Sequence, residues 1–191
     1  MRRICVFCGS NNGVDPAYTD AAREFGQALA QRGLGLVYGG AGVGLMGALA
    51  DAVLAGGGEV CGVITQGLVE KEVAHQGLTD LCVVESMHER KATMAALADA
   101  FVALPGGLGT LDEFFEALTW GQLGIHAKPC GLLNIRGYYD ELVRFLDRGA
   151  AQGFIPPKHR TMILVADQIP DIFNKLCAYV PPQGDKWLAT P

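Results

Sequence analysis

The stretch that most constrains the fold is residues 100–116, Ala-Phe-Val-Ala-Leu-Pro-Gly-Gly-Leu-Gly-Thr-Leu-Asp-Glu-Phe-Phe-Glu. Its first five residues form an unbroken apolar run with the length of a buried strand. The run stops at Pro105, passes through Gly106, Gly107 and Gly109, and enters an acidic amphipathic segment that reads as a helix beginning near Thr110. Strand, glycine loop and helix start in direct succession are the unit from which α/β sheets are wound.

The same succession recurs along the chain. Residues 4–8 read as a strand and lead through the polar loop Gly9-Ser10-Asn11-Asn12-Gly13 into a helix over residues 16–32, with Pro16 in its first turn and Gly33 past its end. A strand at residues 34–38 enters the loop from Gly39 to Gly47 and then a small-residue helix to about residue 55. Further strands are expected at 60–65, 81–85, 128–134 and 162–165, and further helices at 87–99, 138–151 and 170–179. Residues 66–80 are less regular, and 70–75 fit either a short helix or an ordered loop. Continuous apolar strands alternating with helices indicate a doubly wound, Rossmann-like α/β fold, with a parallel sheet and helices on both faces.

A length of 191 residues, half of them apolar, suits a single domain, placed at residues 1–180. Residues 181–191 open with Pro181-Pro182, lack apolar periodicity and are expected to fray. A formal charge of −5 argues against a general nucleic-acid or anionic-membrane surface. Residues 33–50 carry no charge, but seven glycines and the break at Gly39-Gly40 make them strand, loop and helix rather than a membrane span. No secretory pattern follows Arg2 and Arg3, and the six cysteines lie mostly in apolar runs, so a cytoplasmic, reducing location is expected. In Cys5-Val6-Phe7-Cys8 the odd offset sends the two thiols to opposite faces of a strand, and no second Cys/His pair is spaced to complete a zinc site. Neither metal nor cofactor is expected.

Glycines at 106–109 leave backbone N–H groups bare beside the positive end of a helix, which makes an anion, and best a phosphate, the natural guest. A structural reading competes: Thr110-Leu111-Asp112-Glu113 also spells a capping box. Ser86-Met87-His88-Glu89 spells another and makes Glu89 structural. Arg90 and Lys91 then stand near the positive end of that helix, where each cation is disfavoured by about 0.3–1 kcal/mol. A bound anion would remove the conflict; a solvated surface pair is the alternative. Gly42-Val43-Gly44-Leu45-Met46-Gly47 satisfies a dinucleotide fingerprint, yet it follows the second strand, and the next strand ends in Thr65-Gln66-Gly67 without the acidic residue a ribose diol needs. His88 and His126 receive no role.

Pro-Gly-Gly-x-Gly-Thr-x-x-Glu at 105–113 resembles the signature of the Lonely Guy family, cytokinin riboside 5′-monophosphate phosphoribohydrolases long mislabelled as lysine decarboxylases. Met87-x-x-Arg90-Lys91 resembles the family's second motif, and residues 39–47 resemble its glycine-rich loop, with Ala41 where a third glycine is common. The resemblance runs from residue 4 to about 179 and includes residues 120–126 and 132–139. It implies hydrolysis of the N-glycosidic bond of a purine nucleoside 5′-monophosphate, with adenine or an N6-modified adenine as base, in a homodimer. It carries catalytic roles onto Arg90 and Glu113, and substrate contact onto Lys91, Gly107, Leu108, Gly109, Thr110, Leu111 and Asp112, with the phosphate on residues 107–110. Glu72 and Thr119 match further substrate positions. Glu116, one turn after Glu113, is a candidate contact or support for it. A non-catalytic nucleotide carrier or sensor is the alternative, while lysine decarboxylation lacks a recognisable pyridoxal phosphate lysine.

Overall fold

The computed structural model describes residues 1–70 and 74–182. Seven strands, β1 (Arg3–Phe7), β2 (Gly35–Tyr38), β3 (Val60–Thr65), β4 (Asp80–Val84), β5 (Ala100–Ala103), β6 (Cys130–Leu133) and β7 (Ile163–Ala166), form one sheet in the order β4-β3-β2-β1-β5-β6-β7. Every pairing is parallel. The direction of winding reverses between β1 and β5, and the loops leaving these two strands part there to form a crevice.

Alternation along each strand divides the core in two. Ile4 and Val6 point to the face covered by α1 (Pro16–Gln31), α2 (Gly44–Ala55) and α8 (Ile169–Ala178), where they join Phe25, Leu49 and Phe173. Cys5 and Phe7 point to the face covered by α4 (Met87–Leu97), α5 (Leu108–Gln122) and α6 (Asp140–Ala151), with Met94, Phe114 and Leu146. The central strands are buried on both sides, as their unbroken apolar runs require.

The structure corrects several boundaries. Helix α5 starts at Leu108 with Gly107 as its cap, two residues before the expected start. Residues 66–80 hold the short helix α3 (Gln66–Val69) and, at Ala74, an antiparallel bridge to Ala41. Glu72 lies outside the described residues. The helix expected from residue 138 begins at Asp140, because Asn134 accepts a hydrogen bond from the Tyr139 amide at 2.7 Å and holds a tight 3-10 turn, Ile135–Gly137. Within that turn Arg136 is left-handed, φ 56°. A further helix, α7 (Pro157–Arg160), was not expected from the sequence. Among the described residues no helix is long and apolar enough to cross a membrane.

Candidate functional site

Arg90 leaves the first turn of α4 and turns inward; it is 7% exposed. Its Nε donates to the Val63 carbonyl on β3 at 2.9 Å, and its Nη1 donates to Glu113 Oε1 on α5 at 2.6 Å. The guanidinium is therefore fixed in two directions, one of them by backbone. The space it occupies lies over Gly39, at the end of β2, where a β-carbon would meet Nη2 at 2.3 Å.

The capping box expected at residues 110–113 does not form. With the cap moved back to Gly107, Thr110 becomes the third helical residue and is buried, while Glu113 reaches Arg90 instead of its own helix end. The other box is present in modified form: Ser86 accepts from the Glu89 amide at 3.1 Å, and Glu89 accepts from the Glu85 amide at 2.9 Å.

Neither basic residue is a solvated surface charge. The unfavourable placement of two cations at the start of α4 is offset by carboxylates of α5: Arg90 pairs with Glu113, and Lys91 Nζ lies 3.2 Å from Asp112 and 3.0 Å from Glu116. Burial works against the Lys91 ammonium, but its bonds to Glu116 and Asp112 prevail and hold its pKa above the ordinary value. Glu116 thus supports Lys91 rather than Glu113. Burial raises the Glu113 carboxyl above the usual carboxylate range, and Arg90 opposes that rise. The fully buried thiol of Cys5 packs on the same face of the sheet, its pKa raised first by burial and then by the charge of Glu113.

The amino end of α5 is open. Gly107, Leu108 and Gly109 are exposed, and a β-carbon on Gly107 or Gly109 would meet nothing within 4 Å. The first amides of the helix have no partner within it and face this space. Glu113 lies five residues further on, about 7.5 Å along the axis, a spacing of the order of a phosphorylated pentose.

The loop is held from behind. The Gly9 amide donates to the Pro105 carbonyl at 3.0 Å, Tyr138 donates its hydroxyl to the Gly106 carbonyl and Tyr139 to the Leu104 carbonyl, both at 2.6 Å. Gly106 has no room for a side chain, since its β-carbon would lie 2.1 Å from Thr110 Oγ1. Beside the loop, at the crevice between β1 and β5, lies a cleft of about 240 Å³ whose walls include Ser10, Asn11, Tyr18, Leu45, Gly107 and Tyr138. A larger cleft of about 620 Å³ sits among Arg3, Gly35, Glu59 and Asp99, at the amino ends of the strands. Ligands of such sheets bind at the opposite, carboxyl ends, where Arg90, Glu113 and the glycine loops converge.

Of the residues singled out in the sequence, Arg90, Lys91, Asp112 and Glu113 meet at one place, with residues 107–110 one turn away. Leu111 and Thr119 instead line a shallow depression on α5 with Phe115, Trp120 and Leu123, and Asp112 reaches its edge. Gly39, Tyr138 and Tyr139 fall within the stretches 39–47 and 132–139 named above, but the sequence assigned them no role in the site. Their part depends on pairings across 51, 32 and 35 positions, which no local spacing displays.

The profile of a family described as "possible lysine decarboxylase" matches residues 46–176. A protein of Oryza sativa subsp. japonica named as a "probable cytokinin riboside 5′-monophosphate phosphoribohydrolase" is 55% identical over 181 residues, 95% of this chain and 80% of the relative. A cytokinin riboside 5′-monophosphate phosphoribohydrolase of Arabidopsis thaliana is 49% identical over 95% of this chain and 85% of its own length. Among solved structures, the molybdenum cofactor binding protein of Rippkaea orientalis superposes with a TM-score of 0.70 at 21% identity, covering 93% of this chain and 97% of that one. That likeness is one of fold.

Proposed function

The chain belongs to the cytokinin riboside 5′-monophosphate phosphoribohydrolase family, and we propose that it hydrolyses the N-glycosidic bond of a purine nucleoside 5′-monophosphate, AMP or an N6-modified AMP, to free base and ribose 5-phosphate. The observation that carries the reading is the buried Arg90–Glu113 pair, 2.6 Å long, one helical turn from an exposed anion cradle.

The phosphate sits on the open amides at the start of α5, where aligned peptide dipoles and unpaired N–H groups favour negative charge. That contact is remote from the scissile bond and sets the sugar against Glu113. As the bond from C1′ to the purine nitrogen breaks, its electron pair leaves with the base, and positive charge grows on the ribose ring. The Glu113 carboxylate, held by Arg90 in a water-poor setting, stabilises that charge. Water then bonds to C1′, its proton is released, and the departing purine nitrogen takes up a proton. Arg90 acts by charge and position, since a guanidinium does not surrender its proton at neutral pH.

Relatives about half identical to this chain are named as phosphoribohydrolases, which favours turnover over the carrier or sensor reading. A second copy of this chain is the proposed partner, in keeping with the family resemblance, and light scattering at assay concentration is expected to give twice the chain mass. The cytoplasm is the proposed location.

Incubating the purified protein with AMP and with isopentenyladenosine monophosphate, and following products by chromatography, tests the activity. Base and ribose 5-phosphate in equal amounts are expected from at least one substrate. Bound nucleotide recovered intact from both would replace hydrolysis with the carrier reading.

A further inference from the structure

Away from the nucleotide site, Cys61, Asp80 and Cys82 bring two sulfurs and a carboxylate oxygen within 4.8 Å of one another. They are 19 and 21 positions apart from first to last, and only the parallel register of β3 and β4 joins them: Cys61 pairs with Asp80, and Val63 pairs with Cys82. Residues two apart on a strand share a face, so all three side chains rise on the same side of the sheet. Asp80 Oδ2 lies 3.9 Å from each sulfur. Cys61 is buried, Cys82 half-buried and Asp80 exposed, so the group is covered at Cys61 and open to water at Asp80.

Three groups that repel one another when ionised are thus gathered at a sheet edge. Burial pushes the Cys61 thiol up to about 12, Cys82 and Asp80 add to the rise, and Arg3 opposes it. The Arg3 guanidinium is itself 3.6 Å from Glu59.

We propose that Cys61, Asp80 and Cys82 form a binding site for a thiophilic divalent cation of the Zn²⁺ and Cd²⁺ class, with water as fourth ligand. Two sulfurs and one carboxylate suit a tetrahedral d¹⁰ ion and disfavour Mg²⁺ or Ca²⁺, which take oxygen. Binding forms two metal–sulfur bonds and one metal–oxygen bond, and the two thiol protons pass to solvent; nothing is oxidised. The ligand set exists only with β3 and β4 in register, so the ion binds the folded chain and ties the edge strand to its neighbour. Among the described residues no hydrogen bond or ion pair joins these three side chains to Arg90 or Glu113.

The test titrates reduced, metal-free protein with Cd²⁺, following the ultraviolet thiolate-to-metal band, and with Zn²⁺ against a chromogenic chelator. Wild type and Cys177→Ser, which removes the exposed thiol, should bind one ion per chain. Cys82→Ser and Asp80→Asn should bind at least about tenfold more weakly. X-ray absorption of the zinc-loaded wild type, which needs no variant, should show two Zn–S contacts near 2.3 Å. Absence of binding by wild type, equal binding by Cys82→Ser or Asp80→Asn, or a zinc shell without sulfur overturns the proposal.

Discussion

Gly39 and Arg90 use one volume: a β-carbon on Gly39 would lie 2.3 Å from Arg90 Nη2. The end of β2 therefore sets the position of a guanidinium that arrives from α4. In Gly39→Ala the guanidinium must shift, and its bonds to Val63 and Glu113 shift with it. Base release should fall about 10²-fold, the scale that a displacement of about 1 Å produces in a positioned site. Steady-state kinetics beside a thermal melt checks this; unchanged kcat/KM in a folded variant counts against the positioning role of Gly39.

Arg90→Ala leaves Glu113 buried without its cation. Losing one partner of a buried pair is expected to cost about 3–5 kcal/mol, read as a lower denaturation midpoint, and turnover should vanish. Arg90→Lys should restore part of the stability but little activity, because an ammonium cannot bond Val63 and Glu113 along the fixed directions of a planar fork.

The pH dependence follows from the raised pKa of Glu113. The ionised carboxylate is the active form, so activity is present above that pKa and lost as pH falls through it. The acidic limb of kcat/KM should therefore lie above the ordinary glutamate value of about 4.3. A limb at or below that value places the essential ionisation elsewhere.

Tyr138→Phe removes the hydroxyl that bonds the Gly106 carbonyl and should leave the glycine loop less fixed. The hydrogen bond is worth about 0.5–1.5 kcal/mol, and its loss should appear chiefly as a raised KM for the nucleotide. Tyr139→Phe strands the buried Leu104 carbonyl and should lower stability by about 1–3 kcal/mol.

Adenosine lacks the group that the start of α5 holds. Its hydrolysis should be slower than that of AMP by about 10²-fold or more in kcat/KM. Equal efficiency would separate the glycine loop from catalysis.

The sheet was legible in the sequence because each strand is a continuous apolar run and each loop a cluster of turn residues; β1, β3 and β5 fall within a residue of expectation. Misread places are those where a tertiary contact overrides local chemistry. Thr110-x-x-Glu113 has the wording of a cap, yet Glu113 binds a guanidinium 23 positions away. Tyr138 and Tyr139 have helix-compatible surroundings, but the side chain of Asn134 holds them outside α6. Arg90 and Lys91 looked like cations awaiting an anion, and their partners proved to be carboxylates of α5. The Cys61, Asp80 and Cys82 group has no metal-site spacing along the chain and emerges only from strand register.

The most direct test compares wild type with Glu113→Gln on AMP and isopentenyladenosine monophosphate, measuring free base by chromatography and nucleotide binding by calorimetry. The glutamine keeps the size of the side chain and removes its charge. Base release should fall by at least about 10²-fold while nucleotide still binds. Undiminished release by Glu113→Gln would contradict the assignment of Glu113 as the carboxylate that stabilises the breaking glycosidic bond.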